Sequence, residues 1–261
     1  MITRMPKGVA ITREVSPALG ACELTHLERV PIDVELARAQ HRAYEQALSD
    51  AGYVVERLDA GADMPDSVFV EDIAVVFDEL AIITRPGAES RRLETPALVD
   101  ALARQRPLHT IQAPGTVDGG DVLVAGRKVF VGRSTRTNGA AVDQMRQMLT
   151  PFGYRVCEVA VSGCLHLKSA VTAVEDDVLL VNPEWVDLGS FGGFRFVEID
   201  PQEPFAANVL RLDDRLIFST AFPRTAARLV QLGRRLKLVD ASEVAKAEGA
   251  VTCCSLIVVG H

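Results

Sequence analysis

Short apolar runs separated by polar turns recur along the 261 residues, and aligning them suggests one unit repeated several times. The clearest copy is SVFVEDIAVV, then FDEL, then AIITRPGAESRRLETPALVDAL, which predicts strand, tight turn, strand, loop and helix. A second, GGDVLVAGRKVFVGRSTRTNGAAVDQMRQML, turns around Gly126 and continues into a helix on which Val142, Met145, Leu149 and Phe152 share a face. SAVTAVEDDVLLVNPEW turns at Asp176 and Asp177, and ANVLRLDDRLIFSTAFPRTAARLVQL turns at Asp213 and Asp214 before another helix. The apolar positions leading into these turns, Val76, Val124, Val174 and Leu212, are 48, 50 and 38 residues apart, a spacing suited to radially repeated blades.

A fifth unit has to be assembled from both ends of the chain. GVAIT near the amino terminus and CCSLIVVG near the carboxyl terminus both read as strands without a local hairpin partner, so pairing them would close a ring. A helix is predicted from Val34 to Asp50, with Leu36, Ala39, Ala43, Tyr44, Ala47 and Leu48 on its inner face and Gly52 as its stop. No linker or shift in composition divides residues 1–261, which predicts one catalytic domain. The competing architecture is an ordinary doubly wound α/β sheet. That fold would supply single strands between helices, whereas this chain supplies hairpins.

Composition narrows the class. A net charge of −7 and the lack of a Lys/Arg cluster argue against nucleic acid as a partner. No apolar run approaches the 18 or so residues of a membrane span, and MITRMPKGVAITREV lacks the apolar segment of a secretory signal, so a soluble cytoplasmic protein is expected. Five cysteines without a CxxC pair exclude a disulfide scaffold and a structural zinc site as expectations.

Polar residues inside strand-like segments cost folding energy unless a partner or a function offsets it. Four such places stand out: Asp66, Glu71 and Asp72 in DSVFVED; Asp118 and Asp121 in DGGD; His166 in CLHLKS; and Cys253-Cys254 in VTCCSLIVV. Each alone has a plainer reading, as a turn carboxylate, a core histidine or an inert buried thiol. Together they are the parts of a nucleophilic thiol site. Carboxylates would suppress a thiolate, so their surplus suggests that the missing cation is the substrate.

DSVFVED, ITRPGAESRR, DGGDVL, RTN, LHLKS and TCCS, in this order, resemble the dimethylarginine dimethylaminohydrolases of the guanidine-modifying superfamily, and the matches run from about Leu24 to Ser255. The resemblance implies a five-bladed α/β propeller of ββαβ repeats with pseudo-five-fold symmetry. It implies Cys253 as nucleophile, His166 as acid and base, and Asp72 and Asp118 as guanidinium-binding carboxylates. Arg91 and Arg136 fall on the positions that hold the substrate carboxylate, against a plainer reading as surface ion pairs. Leu24, Asp66, Glu71 and Ala247 fall on the remaining substrate contacts. Relatives commonly carry Asp-Gly before the nucleophile, and this chain has Glu248-Gly249.

The implied substrate is a methylated arginine, cleaved to citrulline and methylamine or dimethylamine through an S-alkylthiouronium intermediate on Cys253. No metal or organic cofactor is expected. There is no HExxH, phosphate loop or dinucleotide fingerprint. Zinc held adventitiously by Cys253 and His166 would inhibit. A monomer or homodimer fits equally. The alternatives are an arginine deiminase acting on unmethylated arginine and a non-catalytic binder of arginine analogues.

Overall fold

The computed structural model describes residues 5–260. In chain order the elements are β1 (Gly8–Arg13), α1 (Val34–Asp50), β2 (Tyr53–Leu58), β3 (Ala74–Val76), β4 (Ala81–Ile83), α2 (Pro96–Ala103) and β5 (Leu108–Thr110). Next come β6 (Val122–Ala125), β7 (Lys128–Arg133), α3 (Gly139–Leu149), β8 (Arg155–Ala160), α4 (Leu167–Ala170), β9 (Val171–Ala173), β10 (Val178–Val181) and β11 (Arg195–Glu198). The chain ends with β12 (Leu210–Leu212), β13 (Arg215–Ser219), α5 (Pro223–Val230), β14 (Arg235–Val239), α6 (Ser242–Ala245) and β15 (Leu256–Val259).

These strands form five three-stranded sheets, β3-β4-β5, β6-β7-β8, β9-β10-β11, β12-β13-β14 and β15-β1-β2. Each pairs its first two strands antiparallel and its last two parallel. This is the pseudo-five-fold α/β propeller that the repeats predict. All four hairpins turn where the polar residues place them, and the two-residue turns put Gly126 at φ +59° and Asp213 at φ +61°. The fifth sheet closes the ring, with Gly8 opposite Val259 and Ile11 opposite Leu256.

Four blades carry an α-helix before their outer parallel strand, which must cross over to lie alongside. Between β10 and β11 there is only a 3-10 turn, Leu188–Phe191, in a stretch holding Gly189, Gly192 and Gly193. Glycines disfavour a helix there, and the short crossover accounts for the 38-residue spacing.

Burial is divided among five apolar clusters wedged between neighbouring blades. Helix α3 supplies Val142, Met145 and Leu149 to one of them, while Phe152 lies beyond its end and is 40% exposed. Helix α1 has the predicted bounds, with Asp33 accepting the Leu36 N–H as N-cap and Gly52 at φ +100° past its end. Its buried face differs from the predicted one: Leu36, Ala39 and Ala43 are exposed, and Ala37, Gln40, His41, Tyr44, Glu45, Ala47 and Leu48 face inward. Three of the polar members are hydrogen-bonded, and His41 Nε2 lies 3.4 Å from Glu45 Oε1 without hydrogen-bond geometry. Glu45 accepts from Thr12 Oγ1 at 2.7 Å and Arg57 Nε at 2.9 Å, Gln40 donates to Ser242 Oγ at 2.8 Å, and Tyr44 Oη lies 2.6 Å from Ser255 Oγ. Hydrophobicity alone could not mark this face.

Two segments expected as strands are turns. In DSVFVED the Phe69 N–H returns to the Asp66 carbonyl at 2.9 Å and Val70–Ile73 forms a 3-10 turn. Residues 251–254 also turn, and β15 starts only at Leu256. Among the described residues no helix is long and apolar enough to cross a membrane.

Candidate active site

Each blade is entered through a tight turn or a short helical segment just before its first strand: Val70–Ile73, Gly119–Asp121, α4, the turn near Asn208, and residues 251–254. The ring gathers these entries at its centre, and the candidate residues sit in or beside them. One narrow cleft is lined by Asp66, Asp72, Arg91, Asp118, Arg136, His166, Ala247 and Cys253 together with Glu23, Phe69, Leu165, Glu248 and Gly249.

His166 caps α4 and is buried between two carboxylates. Its Nε2 lies 3.0 Å from Asp118 Oδ2 and its Nδ1 3.8 Å from Asp72 Oδ1. Burial alone would push the imidazole down; the Asp72 charge, the Asp118 hydrogen bond and Asp121 outweigh it and raise it to about 9. At neutral pH the ring is therefore an imidazolium. Asp118 is fixed at its other oxygen by the Gly87 N–H at 2.8 Å, and Asp72 accepts from Gly120 N–H at 3.0 Å. The DGGD motif is shaped for this approach, since a Cβ on Gly120 would come within 2.5 Å of His166 Nδ1 and 2.7 Å of Asp72 Oδ1. Asp72 is held below the usual carboxylate range: burial opposes this, but the His166 and Arg91 charges prevail.

Cys253 is half-buried in the last entry turn, its Sγ accepting from the Ala250 N–H at 3.3 Å. Burial, then the charges of Glu71 and Asp72, push its thiol well above the ordinary value, so it rests protonated. Cys254 is buried, with its Sγ 3.6 Å from the Ala250 carbonyl, and does not line the cleft.

The two arginines differ in availability. Arg91 is buried with Nη1 2.6 Å from Asp72 Oδ2, Nη2 2.8 Å from Glu94 Oε2 and 3.0 Å from the Phe69 carbonyl. Its guanidinium is thus engaged, and the free carboxylate-clamp geometry expected for it is not what the structure displays. Arg136 is half-buried and donates to Thr25 Oγ1 at 3.1 Å; among the described residues it meets no carboxylate within ion-pair distance. Asp66 accepts from the Glu23 N–H at 3.1 Å, and burial raises its pKa. Leu24 is half-buried in the same loop and packs on a core cluster, while its neighbour Glu23 lines the cleft.

Glu71 does not line the cleft. Its carboxylate accepts from Lys168 Nζ at 2.6 Å and Thr252 Oγ1 at 2.7 Å, and it faces a separate cavity of about 210 Å³ along the ring's centre. Its contribution beside the site is backbone, its N–H donating to the Cys253 carbonyl at 3.1 Å.

Two organising residues were given no role from the sequence. Asp121 is buried and binds Ser134 Oγ, Thr137 Oγ1 at 2.6 Å and the Leu167 N–H at 2.9 Å, so it ties the loop carrying Arg136 to the segment carrying His166. It was visible as the second acid of DGGD. Asn208 joins α4 to the cysteine turn through the Lys168 carbonyl at 3.0 Å and Thr252 Oγ1 at 2.9 Å. Nothing in its sequence context marks it.

Among the described residues one group of three could hold a metal ion. Asp72, Asp118 and His166 offer ligand atoms within 4.8 Å of one another. An ion there would occupy both carboxylates flanking the imidazole.

Residues 26–188 match the protein family described as "N,N dimethylarginine dimethylhydrolase, eukaryotic". The chain is 45% identical over 253 residues to an N(G),N(G)-dimethylarginine dimethylaminohydrolase of Streptomyces coelicolor, covering 97% of each protein. It is 38% identical to a protein of the same name from Pseudomonas aeruginosa, over 86% of this chain and 89% of that one. Among solved structures, a cysteine-to-serine variant of the Pseudomonas aeruginosa protein in complex with citrulline superposes with a TM-score of 0.92 at 36% identity, covering 97% of this chain and 99% of the other. A dimethylarginine dimethylaminohydrolase adduct with S-methyl-L-thiocitrulline superposes at 0.91 with 36% identity, covering 96% and 99%. An arginine dihydrolase domain from cyanobacteria shares the fold at 0.83 with 17% identity. With an acid-flanked imidazolium and a half-buried thiol in one cleft, and relatives at this level of identity along nearly its whole length, the chain belongs to the dimethylarginine dimethylaminohydrolase family.

Proposed function

We propose that this ring acts as one catalytic unit that hydrolyses N-omega-methylated L-arginine to L-citrulline, releasing methylamine or dimethylamine. The observation that carries this reading is the placement of His166 between Asp72 and Asp118 in the cleft that Cys253 lines. Asp66, Asp72, Asp118 and Glu23 make the cleft acidic, and Arg91 is already matched by Asp72 and Glu94. A cationic ligand is favoured there. A planar guanidinium can give N–H groups to Asp72 and Asp118 and set its central carbon before the sulfur.

Arrival of that cation also changes the acid-base balance. The bound cation offsets the Asp72 charge that, with burial and Glu71, holds the Cys253 thiol protonated, so the thiol releases its proton to solvent and the thiolate forms as substrate binds. The guanidinium competes with Arg91 for Asp72, and Arg91 Nη1, released, turns with Arg136 toward the substrate carboxylate. Sulfur then bonds to the guanidine carbon, and the protonated His166 gives its proton to the departing amine as the C–N bond breaks. In the second step neutral His166 takes a proton from water as its oxygen bonds to the carbon; the C–S bond then breaks, the hydroxyl proton passes to the sulfur, and citrulline leaves with the thiol and the imidazolium restored. Acid-base assistance of this kind contributes roughly 10²- to 10⁴-fold in rate. The backbone of Ala247 and the loop of Leu24 suit the α-amino group beside Asp66.

The relatives support this substrate class, since one holds citrulline and another an adduct with S-methyl-L-thiocitrulline. Incubation with asymmetric dimethylarginine, monomethylarginine and arginine, with citrulline quantified in each, tests it. Citrulline from the first two faster than from arginine is expected. Faster release from arginine would make the protein a deiminase, and none from any would leave a binding protein.

A further inference from the structure

Glu248 stands beside the cleft at φ +59°, the left-handed region that a residue with a Cβ adopts only at a cost. Such a conformation persists where the surroundings over-determine it. Here they do so on both sides. Gly249 admits no side chain, because a Cβ would lie 2.2 Å from the Phe69 ring, and Ala247 is buried against the cleft.

The side chain explains what the strain achieves. The Glu248 carboxylate accepts three successive backbone N–H groups, from Thr25 at 3.0 Å, His26 at 2.5 Å and Leu27 at 2.6 Å. Successive amides converging on one anion form a concave nest. The same loop is held by Asp66 at the Glu23 N–H and by Arg136 at Thr25 Oγ1, both residues of the cleft. Residues 23–27 are exposed or half-buried and have no regular structure to fix them. Glu248 supplies three of their anchors, bridging 221 to 223 positions of sequence.

We propose that Glu248 is a positioning residue: it locks loop 23–27 over the cleft, and through that loop it sets Asp66 and Arg136 for the amino-acid end of the substrate. This deepens the proposed reaction and rests on it for its kinetic test. These anchors hold the loop and make no hydrogen bond to Cys253 or His166, so loosening them acts on binding before catalysis.

Glu248→Gln keeps the shape but turns an amide NH₂ toward backbone donors, leaving one acceptor for three. The expected result is a KM for dimethylarginine raised roughly ten-fold or more with kcat within about three-fold, as for loss of charge-assisted hydrogen bonds. Amide exchange at residues 25–27 should quicken about ten-fold by the same loss, with the core amides unchanged. Glu248→Asp keeps the charge on a shorter arm and should fall between wild type and Gln in both readouts. Wild-type KM and wild-type protection at 25–27 in Glu248→Gln would overturn the proposal, as would a fall in kcat alone. If that variant does not fold, the Asp variant decides: faster exchange confined to 25–27 supports the latch, and unchanged exchange overturns it. The exchange arm needs no turnover. A wild-type protein that releases no citrulline yet protects these amides would therefore defeat the reaction and leave the latch standing.

Discussion

At the scale of single residues, the two adjacent thiols separate cleanly by surroundings. Cys253 lines the cleft and Cys254 is buried against the Ala250 carbonyl, because the turn through residues 251–254 sends neighbouring side chains apart. Cys253→Ser should lower turnover by at least about 10⁴-fold, since the covalent route is gone, whereas Cys254→Ser should keep most of it. The opposite result in a citrulline assay would mean that the wrong sulfur has been assigned. Arg136 offers a second residue-scale contrast. Among the described residues its guanidinium hydrogen-bonds Thr25 Oγ1 and meets no carboxylate within ion-pair distance, while Arg91 is shared between Asp72 and Glu94. Arg136→Ala should therefore raise KM roughly ten-fold with little change in fold stability, as for a lost charged hydrogen bond, and an unaltered KM would remove it from the substrate's path. Arg91→Ala should cost stability as well, because it leaves buried carboxylates without their cation. The sequence carried the residue types of the site because chemistry demands them. It could not display this difference between two arginines, which depends on distances alone.

Helix α1 is where an element's sequence misleads. Its bounds, Val34 to Asp50 with Gly52 as stop, were legible, but only half of the inward face was: Tyr44, Ala47 and Leu48 are buried, whereas Leu36, Ala39 and Ala43, which hydrophobic spacing also selects, are exposed. The true face carries Glu45 and His41, made tolerable by Thr12 of β1 and Arg57 of β2. Partners on two strands of the closing blade are invisible to a periodicity argument. Burial would raise the Glu45 carboxyl, yet the adjacent His41 and the hydrogen bonds from Arg57 and Thr12 outweigh it and hold it at about 2. A carboxyl lowered from 4.5 contributes stability that is complete above that pH and is lost as the pH falls toward about 2. Glu45→Gln should thus cost about 1.5–3 kcal/mol at pH 7, and the penalty should shrink progressively between pH 4.5 and 3. Urea unfolding at pH 7, 4.5 and 3 checks this; a penalty that stays constant would show that the charge of Glu45 is not what β1 and β2 use. The same limit applies to DSVFVED and the cysteine turn. β-prone letters there serve tight turns, and the glycine and carboxylate geometry of blade entry overrides propensity.

For the whole molecule, the ring was legible because hairpin turns are local and cheap to read, and because two unpaired strands at the chain ends demand each other. What sequence could not convey is that the blade entries converge, bringing Asp72, Asp118, His166 and Cys253 to one place although up to 181 positions separate them. That convergence gathers carboxylates from different blades around one imidazole, so its charge bears on how the blades hold together. The His166 imidazole titrates at about 9 in the folded protein against an ordinary value of 6.5, with burial opposing and Asp72, Asp118 and Asp121 prevailing. A base raised on folding contributes stability that is complete below about pH 6.5 and is lost as the pH climbs through about 9. Removing the proton leaves those acids facing one another at the centre of the ring. The urea midpoint of the wild-type protein should accordingly fall between pH 7 and about 9.5, and in His166→Asn, which never carries the charge, the fall should be smaller. The Cys22, Cys164, Cys253 and Cys254 thiols are raised on folding from 9.0, so they ionise first in the unfolded chain and add to the fall at the upper end of this window; they do so in both proteins, and the difference between the two curves isolates the imidazole. Parallel stability curves for the two proteins across this range would show that the imidazolium does not bind the blades together, and that its charge serves the reaction alone.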